Sequence, residues 1–430
     1  MSKKIFQIKI DTNVLNRLRD KINDENYISY NKQYKKYRAW DKICAIMDRL
    51  DDTVEFLNQL KLNTGKYRRS AFDFFDFMNN ASVVVDCIKE LTKIFNVPND
   101  KIKNSTEIFN QRGRDNMGTD EKYFEYLRSL CSVHPVETSR HKRYQDNDFE
   151  CSPYVIWNNG IIGFQSDCDI FAVVYTSKDK DISKKVEIYI RQIFRYVKTR
   201  VEFINDIIDE VDKYQKDIIA SFVNTPIARE EEFEHYTDYL KNLDKEMKKR
   251  FGSELVYSFE YVIKLIELKL SNPYNEDKVN LYINAMKYAI KFEHNNIQNM
   301  SNNGFENNGL LYCEDNIETT LFAQLCYLNS GSTERYKYCY NLEKIRYLRY
   351  DSGEYNKRWA YVQLKNMSEF LNRYVSFEGV QGDFEHYVLV QTALYLECLE
   401  NECLINKNIP NDLKYRNKLL SDKEFKEMIK

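Results

Sequence analysis

Residues 128 to 134 read Arg128-Ser129-Leu130-Cys131-Ser132-Val133-His134, and His141 follows after Pro135 and a short polar turn. Imidazole titrates near neutrality and can both take and return a proton. Guanidinium stays charged and holds phosphate oxygens in a fork. One chemistry that two such groups could serve is cleavage of an RNA phosphodiester, where the ribose 2′-hydroxyl beside the scissile phosphate is an internal nucleophile. Cleavage then needs a proton-transfer group, here His134, and a cation for the developing phosphorane charge, here Arg128. Arg140, His141, Lys142 and Arg143 follow as a local basic patch suited to RNA phosphates.

Each residue also has a plainer reading. Arg128 can pair with a carboxylate, and His134 can cap the last carbonyls of its own helix. A zinc site could draw on Cys131, His134, His141, Cys151 and Cys168, but the spacing beyond Cys131 and His134 matches no standard zinc pattern, so neither metal nor other cofactor is expected. Glu137 or Thr138 could fix the His134 tautomer or cap the next segment. Arg229 to His235 repeats the Arg-to-His spacing, and with five His about one such match is expected by chance. The chance match is Arg229 to His235, because Glu230, Glu231 and Glu232 beside Arg229 would repel phosphate. His294 and His386 read as structural. The chain has no glycine-rich phosphate loop, no Gly-x-Ser-x-Gly elbow and no His-Glu-x-x-His.

The elements around the motif read as helix. Thr119 or Asp120 can cap a helix over Lys122 to Val133, buried through Tyr123, Phe124, Leu127, Leu130 and Cys131 and stopped by Pro135. On a regular helix, positions six apart lie about 120° apart, so Arg128 and His134 converge only if the helix end bends or a second copy supplies half the site. Asn13 to Asp24, Tyr37 to Leu62, Ala71 to Phe95 and Ser183 to about Phe222 carry apolar residues at helical spacing, with the polar loop Asn104 to Gly118 between. Tyr154 to Trp157, the turn Asn158-Asn159-Gly160, Ile161 to Phe164 and Phe171 to Tyr175 predict a hairpin and a third strand. The fold class is therefore mostly α: helical bundles with a small β-hairpin or three-strand insertion near residues 153–176. Asn224-Thr225-Pro226 marks a boundary between a domain at 1–225 and a helical C-terminal domain at 226–430.

Composition agrees. Only 12 Gly and 6 Pro punctuate 430 residues, too few for a sheet-rich fold. Lys plus Arg, at 64, nearly cancels Asp plus Glu, at 66, so nucleic-acid contact must come from a local patch. No apolar run reaches the roughly 18 residues of a membrane span, and the first residues lack a secretory core, so no membrane contact and a cytoplasmic location are expected. The ten Cys include no CxxC pair, which argues against a disulfide scaffold.

The arrangement of Arg128, a polar Ser129, a few variable positions and His134 on an apolar helix resembles the motif of the HEPN-superfamily ribonucleases. The resemblance covers roughly residues 34 to 222, interrupted by the hairpin, and leaves 226 to 430 unaddressed. It implies metal-independent RNA cleavage, with Arg128, Ser129 and His134 as the catalytic set. It also implies a homodimer that pairs two motifs, and a role as a toxin or antiphage-defence effector controlled by a trigger or regulatory protein. The alternative is a non-catalytic helical interaction or RNA-binding protein. Its surface would be the tract holding Tyr336, Tyr338, Tyr340, Tyr347, Tyr350 and Tyr355, interleaved with Arg335, Lys337, Lys344, Arg346, Arg349, Lys357 and Arg358. The plain reading of that tract is an amphipathic helix with snorkelling basic side chains.

Overall fold

The computed structural model describes residues 4–65, 71–133, 140–145, 150–158, 166–175, 184–252, 257–308, 310–311, 339–350, 352–400 and 404. These residues are mostly α-helical, with few short strands. They form two compact units, Met1–Ile218 and Ile219–Lys430.

The first unit is organised by the helix Phe72–Phe95. Its apolar residues occupy more than one stripe, with Phe74, Phe77, Met78, Val84, Val85, Ile88 and Leu91 all buried, as a helix packed on several sides requires. It ends at Asn96, whose φ of 56° is left-handed and whose N–H donates to the Thr92 carbonyl. Against it pack Trp40–Gln59, buried through Ile43, Met47, Leu50, Val54 and Leu57, and Ile190–Glu202, buried through Ile193, Val197 and Val201. Glu90 accepts from Lys42 across the first of these contacts and from Lys93 one turn along its own helix. The two lysines hold its carboxyl down to about 2.

A small three-stranded antiparallel sheet is present where one is expected. Cys151–Trp157 pairs antiparallel with Ile170–Tyr175, placing Val155 opposite Ala172 and Trp157 opposite Ile170. The third strand is Lys184–Ile188, with Ala172 opposite Val186. The predicted second strand Ile161 to Phe164 lies outside the described residues. Lys184–Ile188 falls inside what the sequence reads as one helix from Ser183. Val186 and Ile188 are buried while Glu187 is exposed, a period of two, and the helix starts only at Ile190. That helix stops at Glu202, and a second one runs from Ile204 to Asn224. Tyr37-Arg38 is likewise strand, paired with Gln33-Tyr34, so the following helix starts at Trp40.

In the second unit, Tyr236–Phe251 is charge-dense and buries Tyr239, Leu240, Leu243 and Met247 on one face. Arg250, 1% exposed, pairs with Glu246 at 2.6 Å and donates to the carbonyls of Phe222 and Thr225. Glu276–Gln298 and Asp383–Glu400 form the centre, the latter buried from Glu385 through Val390. Glu293 is wholly buried and satisfied, accepting from the Tyr257 hydroxyl at 2.7 Å, Asn296 Nδ2 at 2.8 Å and the Gly304 N–H at 3.0 Å.

Candidate functional site

Thr119 caps the motif helix, its hydroxyl accepting from the Lys122 N–H at 3.4 Å. Asp120, the other expected cap, does something different. Its carboxylate is 1% exposed, accepts from Ser105 Oγ at 2.6 Å and from the Phe109 N–H at 2.9 Å, and lies 3.2 Å from the Ile108 N–H. It fixes the start of the 104–118 loop to the helix. The helix is tied to Phe72–Phe95 by Lys89, which pairs with Glu121 at 2.8 Å and Glu125 at 3.0 Å, and then by Arg128 with Asp86. The two partner series run in opposite directions along the chain, so the helices are antiparallel.

The α-helix spans Asp120–Arg128 and does not continue regularly to Val133. Ser129–Val133 is a π turn. A π turn holds more residues than an α turn, so the 120° separation reckoned for a regular helix does not apply across it. Arg128 stands at the junction. Its side chain is 39% exposed, Nη1 is 3.6 Å from Asp86 Oδ2, and Nε is buried without a hydrogen-bond partner among the described residues. Ser129 is buried and closes the helix, its N–H directed at the Glu125 and Tyr126 carbonyls. Cys131 is buried, and burial pushes its thiol far above the range in which a thiolate forms. His134, Glu137 and Thr138 lie outside the described residues.

The basic patch does fall within them. Arg140 and Lys142 are exposed, and His141 and Arg143 are partly so. An aromatic cluster adjoins His141: the Tyr126 ring meets His141 at 6.0 Å and Tyr144 at 5.3 Å, and Tyr144 meets Tyr123 at 5.2 Å. The Tyr126 hydroxyl donates to the wholly buried Glu150 at 3.0 Å. Burial and that carboxylate together push the phenol far above its ordinary range.

The 104–118 loop, a polar connector by sequence, packs against this patch. The Arg114 N–H donates to the Arg143 carbonyl at 3.0 Å, and Arg143 Nε pairs with Asp115 at 2.6 Å. Arg112 and Arg114, both exposed, thereby join the patch. The available signal was the run of residues that tolerate left-handed backbone: Asn110, Gly113 and Asn116 have φ of 52°, 67° and 57°.

Among the described residues, no group of three His, Cys, Asp or Glu side chains is placed to hold a metal ion. Cys168 sits instead by Asn158, whose Nδ2 is 3.8 Å from its sulfur. Arg229 and His235 are exposed, beside the exposed Glu230 to Glu232. His294 Nδ1 faces the Tyr239 hydroxyl at 3.0 Å, and burial is the main cause holding its pKa below the usual value. His386 Nδ1 faces the Gly382 carbonyl at 2.8 Å, with its ring stacked on Phe377. Both act in packing.

In the second unit a cleft of about 390 Å³ opens between Tyr261, Lys264, Phe305, Glu306, Arg349 and Tyr350. The Arg349 guanidinium lies 4.5 Å over the Tyr261 ring. Lys264 pairs with Glu260 and Lys357 with Asp383, so cations and carboxylates balance along the cleft and its extension. Tyr340, Tyr350 and Tyr355 of the aromatic tract are 48%, 61% and 80% exposed, while Arg335, Tyr336, Lys337 and Tyr338 lie outside the described residues. No helix among the described residues is long and apolar enough to cross a membrane. No protein-family model, no curated protein and no solved structure matches the chain.

Proposed function

We propose that this chain is a metal-independent endoribonuclease of HEPN type. His134 is the general acid/base, Arg128 stabilises the charge that develops on the phosphate, and Arg140, His141, Lys142 and Arg143 hold the RNA. Ser129, buried beside Arg128, completes the motif's catalytic set. The observation that carries the reading is the placement of Arg128. Its guanidinium sits partly exposed at the α-to-π junction, held among the described residues by a long, half-exposed ion pair to Asp86. Such a pair is worth at most about 1 kcal/mol, so a phosphate can displace it.

Cleavage is expected to persist in excess chelator and to leave cyclic phosphate ends, because the 2′-hydroxyl is the nucleophile and no metal-bound water takes part. Total RNA incubated with the purified chain and EDTA checks this. Activity lost on chelation and restored by zinc would overturn it.

The reading includes a homodimer in the cytoplasm, with two motif segments facing each other. Light scattering at micromolar concentration is expected to report about twice the 51.6 kDa chain mass. A strict monomer that still cleaves RNA would mean that the π turn alone brings Arg128 and His134 together.

The same Arg128–Asp86 pair also favours a second reading, a non-catalytic helical RNA-binding protein in which Arg128 is simply paired. The exposed Tyr340, Tyr350 and Tyr355 suit that reading. Asp86→Asn separates the two. Freeing the guanidinium preserves or raises cleavage in the first reading, and in the second there is no cleavage to change.

A further inference from the structure

We propose, on the basis of the RNA reading above, that loop 110–118 and turn 140–145 form one phosphate-binding surface for the backbone of single-stranded RNA. Arg112 and Arg114 act in it together with Arg140, Lys142 and Arg143. The two segments are far apart in sequence and are keyed to each other by close backbone approach. Gly113 has φ of +67°, and a Cβ there would stand 2.2 Å from Arg143 Cγ and 2.9 Å from the Arg143 carbonyl oxygen. A Cβ on Gly118 would stand 2.6 Å from both the Arg112 carbonyl oxygen and the Tyr144 hydroxyl. Only glycine fits either place. The Arg112 carbonyl in turn accepts from the Gly118 N–H at 2.8 Å, which closes the loop on itself.

The charge gathered this way is one-sided. Across these two segments five arginine and lysine side chains meet a single carboxylate, Asp115, and Arg143 already holds it. The whole chain carries a net charge of only −2, so this surface is a local exception. A polyanion laid across the two segments would pair with these cations and release its own counterions. The strand is single because in-line attack by a 2′-hydroxyl needs a backbone free to swing into the near-attack geometry.

The experiment is fluorescence anisotropy of a labelled 2′-O-methyl oligoribonucleotide across a salt series. That oligonucleotide cannot be cleaved by its own 2′-oxygens, so binding is read apart from catalysis. The double variant Arg112→Gln/Arg114→Gln is expected to lower the magnitude of the log K against log salt slope by about 1.4, at ~0.7 per lost phosphate contact on a single strand. Lys241→Gln/Lys249→Gln removes the same net charge from exposed positions of the second unit and is expected to leave the slope unchanged. Gly113→Ala keeps every charge but unseats the loop, and it too is expected to flatten the slope, with circular dichroism confirming an intact fold.

An unchanged slope in the Arg112/Arg114 variant would overturn the proposal, as would an equal drop in the Lys241/Lys249 variant or no binding by the wild type. A retained slope in Gly113→Ala would overturn the keyed geometry. Tighter binding of polyglutamate than of the oligonucleotide would assign the surface to an acidic protein partner instead, which also overturns it. Should the slopes behave as expected while unmodified RNA stays intact, the nuclease reading fails and the surface stands.

Discussion

Replacing His134 with alanine is expected to lower RNA cleavage by ~10²–10⁴-fold, the usual contribution of a positioned proton-transfer group. Arg128→Ala is expected to cost ~10²–10³-fold, in the range found when one donor to a developing oxyanion is removed. Neither loss is expected to come from unfolding. Among the described residues the Arg128 guanidinium is held by a single half-exposed ion pair, and deleting such a pair shifts stability by at most about 1 kcal/mol. Arg128→Lys separates charge from geometry: it keeps the cation but loses the fork, so partial activity is expected. His235→Ala, which alters the acidic second match, should change nothing. Single-turnover cleavage of a labelled RNA, read with thermal melts of the same preparations, decides between the outcomes. Equal rates for wild type and His134→Ala would end the ribonuclease reading, and a melt lowered by many degrees in Arg128→Ala would make that residue structural.

Local periodicity carried most of the helical frame. Phe74, Phe77, Met78 and Ala81 recur at the spacing that buries one side of a helix, and Ile193, Val197 and Val201 do the same. The strand Lys184–Ile188 reads as helix in sequence because five residues give too few periods to oppose the long run that follows. Val186 and Ile188 fit both a strand and the end of an apolar helical face. The Asn158-Asn159-Gly160 hairpin reading falls, from Asn159 to Phe164, outside the described residues; within them Trp157 pairs with Ile170, and both are buried.

The site was legible only in part, for similar reasons. Arg128, Ser129 and the basic patch were found from residue type and spacing. The π turn over Ser129–Val133 has no residue-type signature, because it changes the hydrogen-bond step and not the composition. The docking of Arg112 and Arg114 beside Arg143 rests on contacts across some thirty residues of chain, which no window of periodicity spans.

Asp120 decides whether that docking survives, and Asp120→Ala is expected to be among the most destabilising single changes in the first unit. The carboxylate accepts from the buried Phe109 N–H, sits near the buried Ile108 N–H, and binds Ser105 Oγ. Alanine would leave those backbone donors without an acceptor in a place water does not reach. At ~1–3 kcal/mol for each buried group left unsatisfied, the loss is about 3 kcal/mol. For a cooperative unit of roughly 200 residues that is a fall in Tm of ~6–12 °C. Asp120→Asn keeps one acceptor oxygen and the side-chain volume, so a smaller fall is expected. The functional consequence follows the same path, because the Asp120 contacts anchor the start of the loop that carries Arg112 and Arg114. Below the lowered melt, Asp120→Ala should therefore bind the uncleavable oligonucleotide with the flattened salt slope expected of Gly113→Ala, although no cation has been removed. Differential scanning calorimetry with the salt series checks both halves. A melt within 1 °C of wild type would show that the loop backbone finds other acceptors, and Asp120 would then have no part in holding the basic surface together.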